Sequence, residues 1–308
     1  MNKANKARVL SEGTRGHEIQ SLTLAKTLCR QQQITQIRLS APWDWLLPRL
    51  LPGIGAVLKP QLQDETDSDF IITTGRRMAG AARWLRKHQN TQAKYIQILN
   101  PGHHFKGFDV VLLPEHDQVH HNKVICFRGN LHPFNQAWFS AHRQVNSTHK
   151  PHVAIFIGNP GDNYFEQQFL SDLKQIRSVF NKARIHLCGS PRLKPKTQRF
   201  IRSIIKAEEQ LWLNHTDGDN PYGFLLANAD KIFVTADSIN MMNEAGASQA
   251  ALTLLAKDFV QSKKHRRFID SITGRLSTFD CLDKAMSLPD PLQHLLQNSD
   301  LLERLELA

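Results

Sequence analysis

"VTADSINMMNEAGAS", residues 234–248, changes its period halfway. It opens as the end of an apolar run, "KIFVT" (231–235), and from about Ser238 its buried and polar positions recur at helical spacing instead of alternating. A strand that passes within a few residues into a helix is half of a βα unit, and such units build parallel sheets. The same switch recurs along the chain. In the first half the strands are read at 7–11, 35–39, 70–74, 94–99, 109–114 and 123–127, with helices at about 16–31 and 77–89. A polar, aperiodic segment, "SAHRQVNSTHKPH" (140–152), marks a domain boundary near the midpoint. The pattern then restarts with strands at 153–158, 184–189, 210–214, 231–235 and 252–256 and helices at about 163–180, 196–208, 222–228 and 238–248. The fold class this predicts is α/β: two Rossmann-like domains, residues 1–145 and 150–275, facing each other across a cleft onto which the strand ends open.

The 308 residues suffice for two cores, and 41% hydrophobic with 22% charged residues is a globular balance. An excess of 39 Lys+Arg over 28 Asp+Glu implies an anionic partner: nucleotide phosphates, an acidic membrane surface or nucleic acid. Nucleic acid is not expected, because neither an RRM-like aromatic motif nor a finger spacing nor a basic arm is present. Cys29, Cys126, Cys188 and Cys281 form no CxxC pair, which argues against zinc and a redox motif and for reduced thiols in the cytoplasm. Neither a signal-peptide core nor a run of spanning length is read, so any membrane contact is expected to be peripheral, on the inner face. "WDWLLPRLLPGIGAVL" (43–58), apolar and basic, either dips into a bilayer interface or covers the first domain's core as an internal loop.

The chemistry-bearing residues fall at strand ends. A helix beginning near Ser238 offers free N–H groups to a phosphate, and Asp237, Met241, Glu244 and Ser248 project from about one face of it. A carboxylate at Glu244 can accept both hydroxyls of a ribose whose phosphates sit at the helix start. The plainer alternative has Asp237 or Ser238 capping the helix, Met241 in the core and Glu244 in solvent. Asp237 is itself an anion there, so either a cation offsets it or it addresses sugar hydroxyls. "GNPGDNY" (158–164) brings Gly158 and Asn159, "GSPRLKPK" (189–196) brings Ser190 and the cation Arg192, and "DNPYGF" (219–224) brings Asn220 and Tyr222. Together they describe a nucleotide site; singly each is an ordinary turn. In the first domain "SEGTRGHEIQ" (11–20) lacks GxGxxG, so a dinucleotide is not supported. It offers Glu12 and His17, while "PEHD" (114–117) offers His116 and Asp117 as further candidates for a general base, and Arg76 and Arg77 are candidates for acceptor or phosphate contacts. His116 and His120 sit four apart in a loop-like stretch, and no metal or cofactor is expected beyond the nucleotide-sugar itself.

These residues resemble a family, the plant mitochondrial fission proteins called "elongated mitochondria" and their bacterial homologues. The markers are "GTRGHEIQSLTLAKTL" (13–28), "TTGRR" (73–77), "FDVVLLPEHD" (108–117), "RGNLH" (128–132), "NPYGFLLANADKIFVTADSINMMNEA" (220–245) and "KHRRF" (264–268). The resemblance implies a GT-B glycosyltransferase plan, similar to enzymes that build peptidoglycan precursors and lipid A. It implies donor nucleotide-sugar binding in the second domain, with Glu244 at the ribose and the loops at Gly158, Ser190 and Ser238 near the diphosphate. Acceptor binding, to a cell-envelope or lipid-linked substrate, would fall to the first domain, and a C-terminal helical segment, 276–308, would return to it. The alternatives are a non-catalytic membrane-associated scaffold that keeps the fold and a nucleotide-sugar epimerase. Two departures fall at the phosphate loops: Gly158-Asn159 stands where two glycines are expected, and "GSPRLKP" replaces a Ser-Arg-Arg-Thr-Pro pattern.

Overall fold

The computed structural model describes residues 2–47, 49, 51–62, 67–89, 92–102, 104–144 and 150–308. It divides into two compact units, Met1–Pro133 with Pro291–Ala308, and Phe134–Asp290.

In the first unit the chain runs through β1 (Ala4–Ser11), α1 (Arg15–Leu28), β2 (Cys29–Gln36), α2 (Trp43–Leu46), α3 (Ile54–Leu62), β3 (Phe70–Thr74) and α4 (Arg76–His88), then β4 (Lys94–Ile98), β5 (Val110–Pro114) and β6 (Val124–Phe127). The six strands form one parallel sheet in the order β2-β1-β3-β4-β5-β6. Every residue of β3 and β5 is buried, as expected of strands covered on both faces. One core layer packs Leu24, Leu28, Ile72 and Leu112; the other packs Leu58, Met78, Trp84 and Phe108.

Two expectations need correction here. The second strand lies at Cys29–Gln36, directly after α1, and not at 35–39. Its sequence, CRQQQITQ, is polar because it is an edge strand with an exposed flank, so hydrophobicity does not reveal it. Stretch 43–58 covers the core, as expected of the internal-loop reading, but two helices interrupt it: Leu47, just after α2, and Ile54 and Leu58 of α3 are buried in the core with Trp84. Pro48 and Leu50 lie outside the described residues. The segment Pro291–Ala308 supplies Leu295, Leu301, Leu305 and Leu307 to this unit's core.

The second unit begins with α5 (Gln136–His142), followed by β7 (His152–Ile157), α6 (Asp162–Gln167), α7 (Phe169–Val179), β8 (Arg184–Gly189), α8 (Pro195–Ile204), β9 (Gln210–Trp212), α9 (Tyr222–Asn228), β10 (Lys231–Thr235), α10 (Ile239–Ala247), β11 (Ala251–Leu255) and α11 (Lys263–Ser271). Its five strands are parallel in the order β11-β10-β7-β8-β9. The division falls at Pro133/Phe134, upstream of the segment 140–152, because Phe134, Trp138 and Phe139 pack against this unit's core; residues 145–149 are outside those described. It runs on to Asp290, past the expected 275, because residues 277–288 fold back. Ser277 N–H donates to the Leu252 carbonyl (2.7 Å), Leu288 N–H to the Gly246 carbonyl (2.9 Å), and the buried Lys231 ammonium to the Thr278 carbonyl (2.6 Å). The helix expected over 163–180 is two, broken at Gln168. Only then does the chain reach α12 (Pro291–Gln297) and α13 (Leu301–Arg304) in the first unit.

Strand order fixes where ligands go. In each sheet the first strand is flanked by strands reached in opposite directions: β1 by β2 and β3, β7 by β8 and β10. The loops leaving such a pair of strands diverge to opposite faces and leave a crevice at the switch point. In the first unit the loops after β1 and β3 carry Glu12 and Gly75; in the second, the loops after β7 and β10 carry Gly158 and Asp237.

Candidate functional site

At the switch point of the second unit, polar groups from three loops meet on one carboxylate. Gly158 N–H donates to Thr235 Oγ1 (2.7 Å), and the Thr235 hydroxyl donates to Asp237 Oδ1 (2.7 Å). Asn159 N–H donates to Asp237 Oδ2 (2.8 Å), with Arg192 Nη2 3.4 Å from the same oxygen. A Cβ added to Gly158 would lie 2.4 Å from both carboxylate oxygens, so only glycine fits beside this side chain. The anion at the helix start is therefore offset both by a cation and by hydrogen-bond donors. From α11, His265 Nε2 donates to the Asp237 carbonyl (2.9 Å). Burial holds the His265 imidazole below the usual histidine range, while its bond to that carbonyl pulls the other way.

Beyond Asp237, Ser238 caps α10, accepting from Met241 N–H at 3.5 Å. Met241 itself lies in the core, beside Met242 and Ala245. Glu244, half-buried, accepts from the Tyr222 hydroxyl (2.5 Å), and the Tyr222 ring packs on Phe156 at 4.6 Å. Asn220 Oδ1 accepts from Tyr222 N–H (2.9 Å), so it orders the turn before α9. Ser190 N–H donates to the Ile157 carbonyl (2.8 Å) and Ser190 Oγ accepts from Arg192 N–H (3.3 Å), which ties the β8 loop to the end of β7.

The first unit's switch point carries an acid–imidazole pair. Glu12 Oε1 lies 3.1 Å from His17 Nδ1 and accepts from Thr14 Oγ1 (3.2 Å), while Arg77 donates to its other oxygen (3.3 Å). The hydrogen bond to His17 is the largest influence on Glu12 and keeps its carboxyl below the usual range against the burial that raises it. Gly75 has φ 83°, and a Cβ there would meet His17 Cε1 at 2.8 Å. An ionised carboxylate on Nδ1 favours the tautomer with the proton on Nδ1, which leaves Nε2 as the acceptor, the form a general base needs.

The structure thus brings Glu12, His17 and Arg77 together. His116 and Asp117 stand apart from them, in a 3-10 turn after β5, two strands from β3, with His116 buried. Arg76 is exposed on the first turn of α4. Sequence reading missed Thr235, which links two loops through its hydroxyl, and Gly75, which makes room for His17. It saw His265 only within the marker "KHRRF", with no role of its own. A signal existed for Thr235 and Gly75 in their place at a strand end, but contact between segments 28 or more residues apart leaves no local pattern. Among the described residues no group of three or more His, Cys, Asp or Glu side chains is placed to hold a metal ion, and no helix is long and apolar enough to cross a membrane.

Comparison with known proteins extends over most of the chain. The family model for mitochondrial fission ELM1 matches residues 15–294. The uncharacterized protein RP120 of Rickettsia prowazekii is 28% identical over 86% of this chain and 87% of its own length. The mitochondrial fission protein ELM1 of Arabidopsis thaliana is 24% identical over 71% of this chain, and the match spans 60% of the plant protein. Among solved structures, a glycosyltransferase from Rickettsia africae matches with TM-score 0.52 at 13% identity, covering 97% of this chain and 100% of its own. UDP-GlcNAc 2-epimerase from Neisseria meningitidis bound to UDP-GlcNAc matches with TM-score 0.51 at 10% identity, covering 96% and 100%. At such identities the likeness shows the fold, two Rossmann-like α/β units of GT-B type.

Proposed function

The chain belongs to the mitochondrial fission ELM1 family, and from that membership we propose that it is a glycosyltransferase moving a sugar from a nucleotide-diphospho-sugar to a cell-envelope or lipid-linked acceptor. The observation that carries this reading is the assembly at the second unit's switch point: Gly158 and Asn159, Ser190 and Arg192, and Asp237 and Ser238 in loops at strand ends of one sheet, with the Tyr222–Glu244 pair on the helices α9 and α10. A half-buried carboxylate about two turns from those loops, oriented by a tyrosine hydroxyl, suits the two hydroxyls of a ribose. Arg192 and the start of α10 suit the diphosphate, supplying positive potential where other transferases use a metal. In the first unit the His17–Glu12 pair is the general base that takes the acceptor hydroxyl's proton; the hydrogen bond to His17, with Arg77 on the other oxygen, keeps Glu12 ionised. Trp45, 68% exposed, and Leu51, 39% exposed, support an acceptor met at an anionic membrane surface.

The test is calorimetry and thermal shift with UDP, GDP, CDP and their sugars, on the native chain and on Glu244→Ala. One nucleotide should bind saturably, and the variant should lose at least about tenfold in affinity, or ~1.4 kcal/mol. Absence of binding by all of them makes the non-catalytic scaffold the better reading. Binding followed by conversion of the sugar without any acceptor makes it an epimerase.

A further inference from the structure

We propose that the Asp237 carboxylate is the tethered occupant of an anion seat, and that a diphosphate enters only by displacing it. Three donors from three chain segments converge on this one group: Asn159 N–H, the Thr235 hydroxyl and the Arg192 guanidinium. Backbone N–H, hydroxyl and guanidinium arranged around two oxygens form a set that would serve a phosphate equally well. Gly158 completes the seat, since the carboxylate fills the space its side chain would occupy, and close approach of an anion to a glycine backbone is how phosphate loops work.

The arrangement allows exchange. His265 holds the Asp237 carbonyl and Ser238 caps α10, so the backbone is pinned on both sides of the side chain, which would leave the seat by a change of rotamer alone. At 15% exposure for Asp237 and 56% for Arg192, the seat is open on the arginine side. A tethered carboxylate competes with an incoming anion at high effective concentration, so Asp237 sets the affinity for the ligand. A purely structural clamp predicts the reverse: removing Asp237 would loosen the loops and leave anion binding unchanged or weaker. The inference rests on the donor-site reading only for the ligand's nucleoside part; the seat itself is argued from the donors.

Calorimetric titration with pyrophosphate, and separately with UDP, decides it on the native chain, Asp237→Ala, Asp237→Asn and the double variant Asp237→Ala/Arg192→Ala. Pyrophosphate affinity should rise about tenfold in Asp237→Ala, the factor expected if the native carboxylate leaves the seat about a tenth of the time. The gain should be smaller in Asp237→Asn, which keeps an acceptor for Asn159 N–H, and should vanish in the double variant. Equal or weaker pyrophosphate binding in both single variants overturns the proposal. A matching gain for UDP supports both readings, whereas a gain for pyrophosphate alone sustains the seat and removes the nucleotide from it. Should Asp237→Ala fail to fold, Asp237→Asn against the native chain gives the same comparison.

Discussion

Gly75 adopts φ 83°, and a Cβ at that position would stand 2.8 Å from His17 Cε1. Alanine there is strained by its backbone alone, by about 1 kcal/mol, and must also push the imidazole off Glu12. Gly75→Ala is expected to fold with slightly lower stability and to lose the single Nδ1–H tautomer of His17. Side-chain NMR shifts of that ring check it, and an unchanged tautomer would mean that Glu12 does not orient it. A second residue-scale prediction concerns His152 and His186, buried neighbours whose Nδ1 and Nε2 atoms are 3.0 Å apart. One must donate and the other accept, so the contact is lost when both rings are imidazolium, and burial disfavours even the first charge. Burial depresses both, with Arg184 acting the same way, Asp230 opposing at His152 and Gln210 opposing at His186, which falls to about 4. Between that value and about 6.5 the unfolded chain binds more protons than the folded one, so stability is full at neutral pH and falls as pH drops through this window. The loss is on the order of 2 kcal/mol. Denaturation midpoints at pH 7 and pH 4.5 should differ more for the native chain than for His186→Gln; an equal drop would place the acid sensitivity elsewhere.

At the scale of elements, α13 spans only Leu301–Arg304, too short to be helical on its own account. What holds it is burial of Leu301 at 0% and Leu305 at 2% exposure, with Arg304 Nη1 donating to the Asn122 carbonyl (2.6 Å). Leu301→Ala should therefore cost about 2–5 kcal/mol in chemical denaturation, and a cost under about 0.5 would mean the C-terminal segment is not docked. Such a helix is nearly invisible in sequence, because its determinants lie in the strands it covers. The opposite holds for β3, β5, β7 and β10, read to within a residue from their apolar runs, since a strand buried on both faces is apolar at most positions. Polar β2 escaped for the same physical reason in reverse: as an edge strand it buries little, and hydrogen bonds to β1 decide its place.

Across the whole molecule, what local pattern could not supply was strand order, and strand order decides which loops meet. The second unit's loops were each legible as glycine-bearing or polar turns, but the adjacency of β7 and β10, 74 or more residues apart, is what sets Asp237 against Gly158. The same logic predicts the footprint of a ligand. If the donor site lies wholly in the second unit, a nucleotide at about 100 times its Kd adds about 2.7 kcal/mol to every opening that destroys the site. Hydrogen exchange should then slow at 157–160, 188–193, 235–245 and around His265, which touch the seat or the ribose carboxylate. Strands β3 and β5 of the first unit should exchange at unchanged rates, because their openings leave the site intact. Protection centred instead on 11–17 and 74–77 would move the nucleotide to the Glu12–His17 crevice. That outcome would assign the acid–imidazole pair to donor binding and leave the anion seat around Asp237 to a different phosphate.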